Sequence, residues 1–389
     1  MINVNTHIHS PYSFSSFESV DQAVDLAIAD NVKVLGISDF NTVAGFEEFT
    51  RACAGKGVFP LYNIEFIALL EDDKAAGRRW NDPANPGAMY VCGKALDYPT
   101  SLSDDSRNRL RCLWKGSQDR IWKVINRLND HLADTTVPVA LDYNTIRAAY
   151  AKDTVRERHV ARALVDALRE RYCDDEELRG ILRSIYGDRS EVADLHDQVA
   201  LQNQVRAKLL KVGKPAYIEE EPSAFFSLDE IRTIILDGGG IPCYPVLADE
   251  SKGLGEYESD PESLATELSK RRFHAVEFIP TRNGFEHLKH YVKVLRASGF
   301  CVTFGTEHNT PGLGPLVPKA RGDAPFDQEL LEIAYEGACI LAAHQTLHAQ
   351  GKDGWVNRRG HRLVAPESVA EFVHIGDEAI RNTVQTGKA

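Results

Sequence analysis

Short apolar runs alternate with segments of helical spacing in the first hundred residues of the chain. The apolar runs are short and bounded by polar residues, as buried strands are, while the segments between them repeat apolar residues every three or four positions. We therefore predict strands at 2–8, 32–38, 58–66 and 89–92, and helices at 20–29 and 44–54. Strands that alternate with helices in this way indicate βα units and a parallel sheet or barrel.

The middle of the chain has a different pattern, because charged, amphipathic helical stretches dominate it from about 104 to 211. The βα pattern resumes with an apolar run at 241–246 and with further predicted strands at 275–279 and 300–304. We interpret the middle as a helical insertion with its own small core, placed inside an α/β barrel. The predicted division is a barrel formed by residues 1–100 and 225–349, an insertion at 101–224 and a C-terminal extension at 350–389.

Composition narrows the class of protein and of partner. The 389 residues carry 45 Lys and Arg against 57 Asp and Glu, a net charge of −12 that argues against binding to nucleic acid or to anionic membranes. The seven cysteines are scattered without a C-x-x-C pair, so we expect them to be reduced. The sequence has no recognisable signal peptide and no apolar run long enough for a membrane helix. We expect a soluble, cytoplasmic protein.

Candidate metal ligands stand at the ends of the predicted barrel strands, where barrels of this kind carry their chemistry. His7 and His9 are two residues apart on one strand, so both imidazoles can point to one ion. Glu65 ends an apolar strand, and Glu307 and His308 follow the last strand. Each residue alone has a plain alternative, a solvated polar side chain or a salt bridge, but together they favour a Zn, Mn or Fe site.

The motifs T-H-I-H-S, G-I-S-D-F-N-T, N-I-E-F and F-G-T-E-H, in this order, resemble those of the PHP (polymerase and histidinol phosphatase) superfamily. The segments R-H-V-A-R-A-L at 158–164 and I-P-C-Y-P at 241–245 resemble further motifs of the family. The resemblance implies a distorted (β/α)₇ TIM-like barrel that binds up to three divalent metals. It also implies a metal-dependent phosphoesterase.

The sequence departs from the family pattern at four expected ligand positions, which carry aromatic residues: Phe14, Phe40, Tyr90 and Tyr244. Phenylalanine cannot ligate a metal, and neutral tyrosine is a poor ligand. By analogy with the family, one metal position survives, formed by His7, His9, Glu65 and Glu307. We therefore expect one divalent ion, with Phe14 and Phe40 as an apolar wall. The hydroxyls of Tyr90 and Tyr244 and the imidazole of His308 are candidate catalytic groups.

Several cations are candidates for contact with the substrate. Arg78 and Arg79 flank Trp80 on a loop and could clamp a phosphate or carboxylate, although a solvated loop explains them equally well. Arg158 and His159 begin a helix of the insertion, where the family resemblance implies a substrate-contacting histidine. Arg282 follows a barrel strand at the same end as the ligands, and the loop lysines, among them Lys94, are weaker candidates.

Three functions remain open from the sequence. The first is a PHP-like metal-dependent hydrolase, a phosphoesterase that acts on a small molecule through a mononuclear site. The second is a metal-assisted lyase or isomerase of a sugar-acid-like compound. The third is a barrel that binds a ligand without turnover. The expected partner is a small-molecule substrate, and neither the substrate nor the oligomeric state follows from the sequence.

Overall fold

A seven-stranded sheet forms the centre of the molecule, with its strands in chain order from β1 to β7. The computed structural model describes residues 2–187, 191–219, 221, 225–249 and 254–387. A backbone bridge between Ile8 and Glu307 joins the two edges of the sheet and nearly closes it into a barrel. The predicted distorted TIM-like barrel is thus confirmed. Its strands are β1 Asn3–Ile8, β2 Val32–Phe40, β3 Phe59–Leu69, β4 Ala88–Lys94, β5 Ile241–Val246, β6 Ala275–Phe278 and β7 Cys301–Phe304.

One strand, β4, runs against the others. The pairs β1–β2, β2–β3, β5–β6 and β6–β7 are parallel, whereas β4 is antiparallel to both β3 and β5. Tyr90 pairs with Ile67, beyond Glu65 in the direction of the barrel mouth, and Lys94 pairs with Ile241 at the start of β5. The early residues of β4 therefore lie near the mouth, and its last residue lies deep in the barrel.

Helices cover the outside of the barrel, and their starts follow from the sequence. The Ser19 side chain accepts the backbone N–H of Gln22 at the first helix, and Ser227 with Glu230 forms a capping box at the helix before β5. The helices of the barrel segments are α1 Val20–Ala29, α2 Phe46–Cys53, α3 Glu71–Ala75, α9 Leu228–Asp237, α10 Pro261–Lys270, α11 Phe285–Ala297 and α12 Gln328–Ala349.

The helical insertion has a hydrophobic core separate from that of the barrel. Leu128, Leu164 and Leu209 belong to it, and all three are fully buried. The insertion ends at residue 224 in our prediction, and that boundary lies outside the described residues. Its helices are α4 Asp104–Asp134, α5 Tyr143–Tyr150, α6 Glu157–Arg171, α7 Asp175–Tyr186 and α8 Gln198–Val205, followed by the π-helical turn Arg206–Leu210.

The C-terminal residues pack on the barrel helices. Helix α13, Val369–Thr386, lies along α12. A Cβ atom at Gly376 would stand 1.9 Å from the carbonyl oxygen of Cys339, so only glycine permits this approach of the two helices. None of the described helices has both the length and the apolar character needed to cross a membrane.

Candidate metal centre and its cavity

Three predicted ligands converge on one point of the barrel: His7, His9 and Glu65. The Nε2 atoms of His7 and His9 are 3.4 Å apart, and His9 Nε2 is 3.2 Å from Glu65 Oε2. Two ligand atoms on one tetrahedral zinc, with bonds of about 2.1 Å, are separated by roughly 3.4 Å. All three side chains are buried. The spacing therefore suits three ligands of one small cation.

The opposite nitrogen of each imidazole is held by a hydrogen bond. His7 Nδ1 is 2.5 Å from a carboxylate oxygen of Glu277, and His9 Nδ1 is 3.2 Å from the Ser13 hydroxyl. Ser13 in turn donates to Asp39 at 2.6 Å. Partners of this kind set the ring orientation and tautomer of metal-binding histidines. Both rings thus direct Nε2 toward the same point.

Glu277 and Lys94 form a buried ion pair below this point. The Lys94 ammonium lies 2.5 Å from Glu277 Oε1 and also donates to the Thr6 carbonyl at 3.2 Å. Neither side chain is exposed, and the opposite charges hold the pKa of Glu277 at about 2 despite its burial. Glu277 is not among the site residues predicted from the sequence. The signal was present as a carboxylate in the apolar run Ala275–Phe278.

Glu277 does not suit a second metal ion, although His7, Cys92 and Glu277 also lie close together. One carboxylate oxygen already carries the ammonium group of Lys94, and the other is engaged by His7 Nδ1. A divalent ion there would lie beside a fixed positive charge in a buried site. The described residues therefore support one cation position.

Glu307, the fourth predicted ligand, lies in the same cavity but makes other contacts. Its carboxylate accepts hydrogen bonds from Arg282 at 2.8 Å and from the Asn309 amide at 2.5 Å. It is absent from the three-ligand cluster. Asn309, which is not among the predicted site residues, also lines the cavity. A sequence signal for Asn309 was its place directly after Glu307 and His308.

The turn after β7 places the side chains of Glu307 and His308 in different surroundings. Both have positive φ angles, 60° and 53°, which are uncommon for residues other than glycine. Gly305 permits this turn to lie against β1, because a Cβ there would stand 2.2 Å from the Cβ of His7. Glu307 consequently lines the cavity while His308 is outside its lining.

His308 and Tyr244, two of the predicted catalytic residues, are placed away from the ligand cluster. His308 Nδ1 is hydrogen-bonded to the Thr306 hydroxyl at 2.7 Å, and its Nε2 is hydrogen-bonded to the Gly314 carbonyl at 3.0 Å. Both ring nitrogens therefore already have partners. Tyr244 is fully buried against Trp80 and Phe273. Residues alternate along a strand, and its neighbour Cys243 lies on the side of Glu277 and Lys94. Our placement of the Tyr244 hydroxyl at the mouth is therefore wrong.

Phe14, Phe40 and Tyr90 line the cavity as an aromatic wall. Phe40 stacks on His9 with ring centroids 5.6 Å apart, and Tyr90 meets Phe40 edge-on at 6.0 Å. Burial raises the pKa of Tyr90 above its ordinary range, so the phenol is neutral and able to donate a hydrogen bond. Of the predicted catalytic residues, Tyr90 lines the same cavity as His9 and Glu65.

The remaining predicted substrate contacts divide in two groups. Arg158 and Arg282 line the cavity. His159 does not, because its Nδ1 accepts the backbone N–H of Arg156 at 3.0 Å and caps helix α6. Arg78 pairs with Asp73 at 2.6 Å, and Arg79 is exposed; neither lines the cavity. Our prediction of a clamp by these two arginines is therefore not supported by their position.

The cavity lies between the barrel mouth and the helical insertion and has a volume of about 630 Å³. Its described lining includes the metal-site residues His9 and Glu65. Although the whole chain has a net charge of −12, basic side chains outnumber acidic ones in this lining. The basic residues are Lys74, Arg120, Arg156, Arg158, Arg206, Lys211 and Arg282, and the acidic ones are Glu65, Asp82, Glu157, Glu219 and Glu307. Such a lining favours an anionic ligand.

Comparison with known proteins agrees with this fold. Residues 5–93 match the family model of the PHP domain. No curated protein matches the chain. A candidate metal-dependent phosphoesterase from Bifidobacterium adolescentis is similar in structure, with a TM-score of 0.55 and 16% sequence identity over 85% of this chain and 94% of that chain. An amidohydrolase from Chromobacterium violaceum, with bound sulfate and no metal, has a TM-score of 0.54 and 16% identity over 85% and 96% of the two chains. The resemblance of the motifs to the PHP superfamily is thus confirmed over residues 5–93, which match the PHP domain.

Proposed function

We propose that this chain is a metal-dependent hydrolase that cleaves a phosphate ester of a small molecule. The observation that carries the proposal is the convergence of His7 Nε2, His9 Nε2 and Glu65 Oε2 at ligand spacing, with each Nδ1 held from behind. The PHP domain and the names of the two similar structures support a hydrolase. The cationic lining of the cavity supports an anionic substrate.

The donor set fits one Zn, Mn or Fe ion. Burial lowers the pKa of His9, so its imidazole is neutral and available as a ligand. Two imidazoles and one carboxylate leave open positions for water and substrate, as catalytic sites do. A divalent ion at such a site activates water and polarises a substrate oxygen at neutral pH.

The residues around the ion have separate tasks in the proposed reaction. Glu277 and Ser13 hold the two imidazoles in position. Arg282, paired with Glu307, supplies positive charge at the mouth. Tyr90 donates a hydrogen bond to the leaving oxygen, for which its neutral phenol is suited. Phe14 and Phe40 limit the access of water on the side of the insertion.

Metal analysis and a substrate screen test the proposal. Protein purified without chelators should contain about one divalent ion per chain, and Glu65→Gln should remove it, since the three-ligand cluster would lose its carboxylate. Glu367→Gln, an exposed site far along the chain, is the matched control and should keep the metal. The metal-loaded protein should hydrolyse at least one phosphate ester in a broad screen. Full metal content together with turnover of sugar acids but of no phosphate ester would contradict the proposal.

A further inference from the structure

Two arginines of the insertion contact aromatic rings that line the cavity beside the metal position, called the metal cavity below. The guanidinium carbon of Arg156 is 4.4 Å from the ring centroid of Phe40, and that of Arg158 is 5.6 Å from the ring centroid of Phe14. Phe40 in turn is stacked on the imidazole of His9. A single aromatic ring therefore separates the charge of Arg156 from a metal-site imidazole. These cation–π contacts hold each guanidinium near its ring.

The basic residues that line the cavity on the side of the insertion differ in how their charges are neutralised. Glu157 lies 3.0 Å from Arg120, 3.2 Å from Arg206 and 3.5 Å from Lys211, so one carboxylate serves three cations. Arg158 donates to the Asn203 amide oxygen, which carries no charge. For Arg156, no ion pair with an acidic side chain is found in the described part of the chain. This side of the cavity therefore has a surplus of positive charge at Arg156 and Arg158.

The surplus of positive charge is unfavourable for Arg158. Burial, together with repulsion from Arg206, lowers the pKa of Arg158 to about 10. Cations held close together without enough acidic partners are stabilised by an added anion. This charge lies in the same cavity as His9 and Glu65, and the cavity is therefore where such an anion would bind.

We propose that Arg156, with Arg158 beside it, binds the non-bridging oxygens of the substrate phosphoryl group next to the single metal position. The inference rests on the proposed function and adds Arg156, which is not among the residues predicted from the sequence. A guanidinium presents two parallel N–H donors to a phosphate and keeps its charge at every physiological pH. In this arrangement Phe40 serves as the platform that holds Arg156 beside His9.

Binding of inorganic phosphate tests this inference without any need for turnover. The full-length protein, titrated with phosphate by calorimetry in the presence of a chelator, should bind the anion. Arg156→Gln should raise the dissociation constant by about 10- to 100-fold, the loss expected for hydrogen bonds to a charged group. Arg156→Lys keeps the positive charge but loses the paired N–H donors. Its dissociation constant for phosphate should therefore lie between those of the wild type and Arg156→Gln. Arg111→Gln removes the same charge from an exposed residue of α4 and should bind phosphate as the wild type does.

The outcomes separate the inference from the proposed function. Phosphate binding that is equal in the wild type and Arg156→Gln, or absent from the wild type, overturns the assignment of Arg156. If Arg156→Gln does not fold, Arg156→Lys decides: affinity reduced several-fold supports the paired contact, and wild-type affinity overturns it. Phosphate binding that depends on Arg156, in a protein that hydrolyses no phosphate ester, supports this anion site and contradicts the phosphoesterase proposal. For an ester that is hydrolysed, Arg156→Gln should raise KM in parallel with the phosphate dissociation constant.

Discussion

The ion pair of Lys94 and Glu277 is the most completely buried pair of charges in the described barrel, and its contact with His7 links it to the metal position. A buried ion pair rarely adds net stability, because desolvation offsets the attraction between its members. The role of this ion pair is to hold a metal-site residue in position. It keeps a carboxylate ionised in the barrel interior, and that carboxylate holds Nδ1 of His7.

Substitutions at this pair should separate stability from metal affinity. Lys94→Met should lower the free energy of unfolding by about 3 kcal/mol or more, because Glu277 is left as a buried, unpaired charge. Glu277→Gln should weaken metal binding by about 10- to 100-fold, as loss of a carboxylate behind a ligating histidine does. The double variant should regain stability without regaining metal affinity. Denaturant melts and metal titrations measure the two effects, and unchanged metal affinity in Glu277→Gln would contradict the role given to Glu277.

Glu258 is a second buried carboxyl, and it should make stability fall with rising pH. It lies beside the Tyr244 hydroxyl and accepts the backbone N–H of Leu247 at 3.1 Å, yet burial raises its pKa from 4.5 to about 7. Between these pH values the folded protein holds a proton that the unfolded chain has lost, so stability decreases as pH rises through this window. Glu258→Gln should therefore be more stable than the wild type at pH 8, by about 2–3 kcal/mol, and about equal to it at pH 4. Denaturant melts at the two pH values check this, and an unchanged difference between them would contradict it.

At the scale of elements, a single carboxylate joins three segments of the insertion. Glu157 at the start of α6 pairs with Arg120 of α4, with Arg206 of the π-helical turn and with the following Lys211. Although burial raises the pKa of Glu157, the three cations lower it to about 2. The same first turn carries Arg158 and is capped by His159. Glu157 thus positions the start of α6 over the metal cavity.

This contact should make the insertion sensitive to acid. Because the pKa of Glu157 is lower in the folded chain, its stabilisation is present above pH 4.5 and is lost as pH falls toward 2. Glu157→Gln should cost about 2 kcal/mol at pH 7 and little at pH 2.5. Glu176→Gln on α7, an exposed member of a surface pair, is the matched control and should cost less than 1 kcal/mol at either pH. Equal losses for Glu157→Gln at both pH values would contradict the ionic role.

At the scale of the whole molecule, the barrel and the insertion each form one wall of the cavity. The barrel provides His7, His9 and Glu65, and the insertion provides the arginines that face them. The barrel and the insertion have separate hydrophobic cores. A ligand that contacts both should stabilise their association, because the complete binding site exists only when both are folded and in contact.

Metal binding should stabilise the barrel against heat, because the three ligands come together only in the folded barrel. Zn²⁺ or Mn²⁺ at a hundred times its dissociation constant should add about 2.7 kcal/mol and raise Tm by several degrees, and a chelator should reverse the shift. Glu65→Gln should show no shift, whereas Glu367→Gln should respond as the wild type does. A rise in Tm that persists in Glu65→Gln would indicate that the ion binds elsewhere.

Much of the fold and part of the site could be predicted from the sequence alone. The alternation of apolar runs and helical segments predicted the barrel and the helical middle, since local periodicity reflects which faces are buried. The pair His7 and His9 was visible because two residues on one strand point the same way, and Glu65 because a carboxylate in an apolar strand requires a partner. These are properties of short segments.

The tertiary structure decided what depends on contacts between distant segments. The antiparallel direction of β4 brought Tyr90 to the mouth and Lys94 to the interior, which no local pattern encodes. The left-handed turn after β7 placed Glu307 in the cavity and His308 outside its lining. The insertion brought Arg156 onto Phe40, residues that are far apart in the chain. The sequence by itself thus predicted the barrel and three candidate ligands that lie together, whereas the charges around them were set by packing, because an ion pair or a ring contact exists only between side chains that the fold brings together.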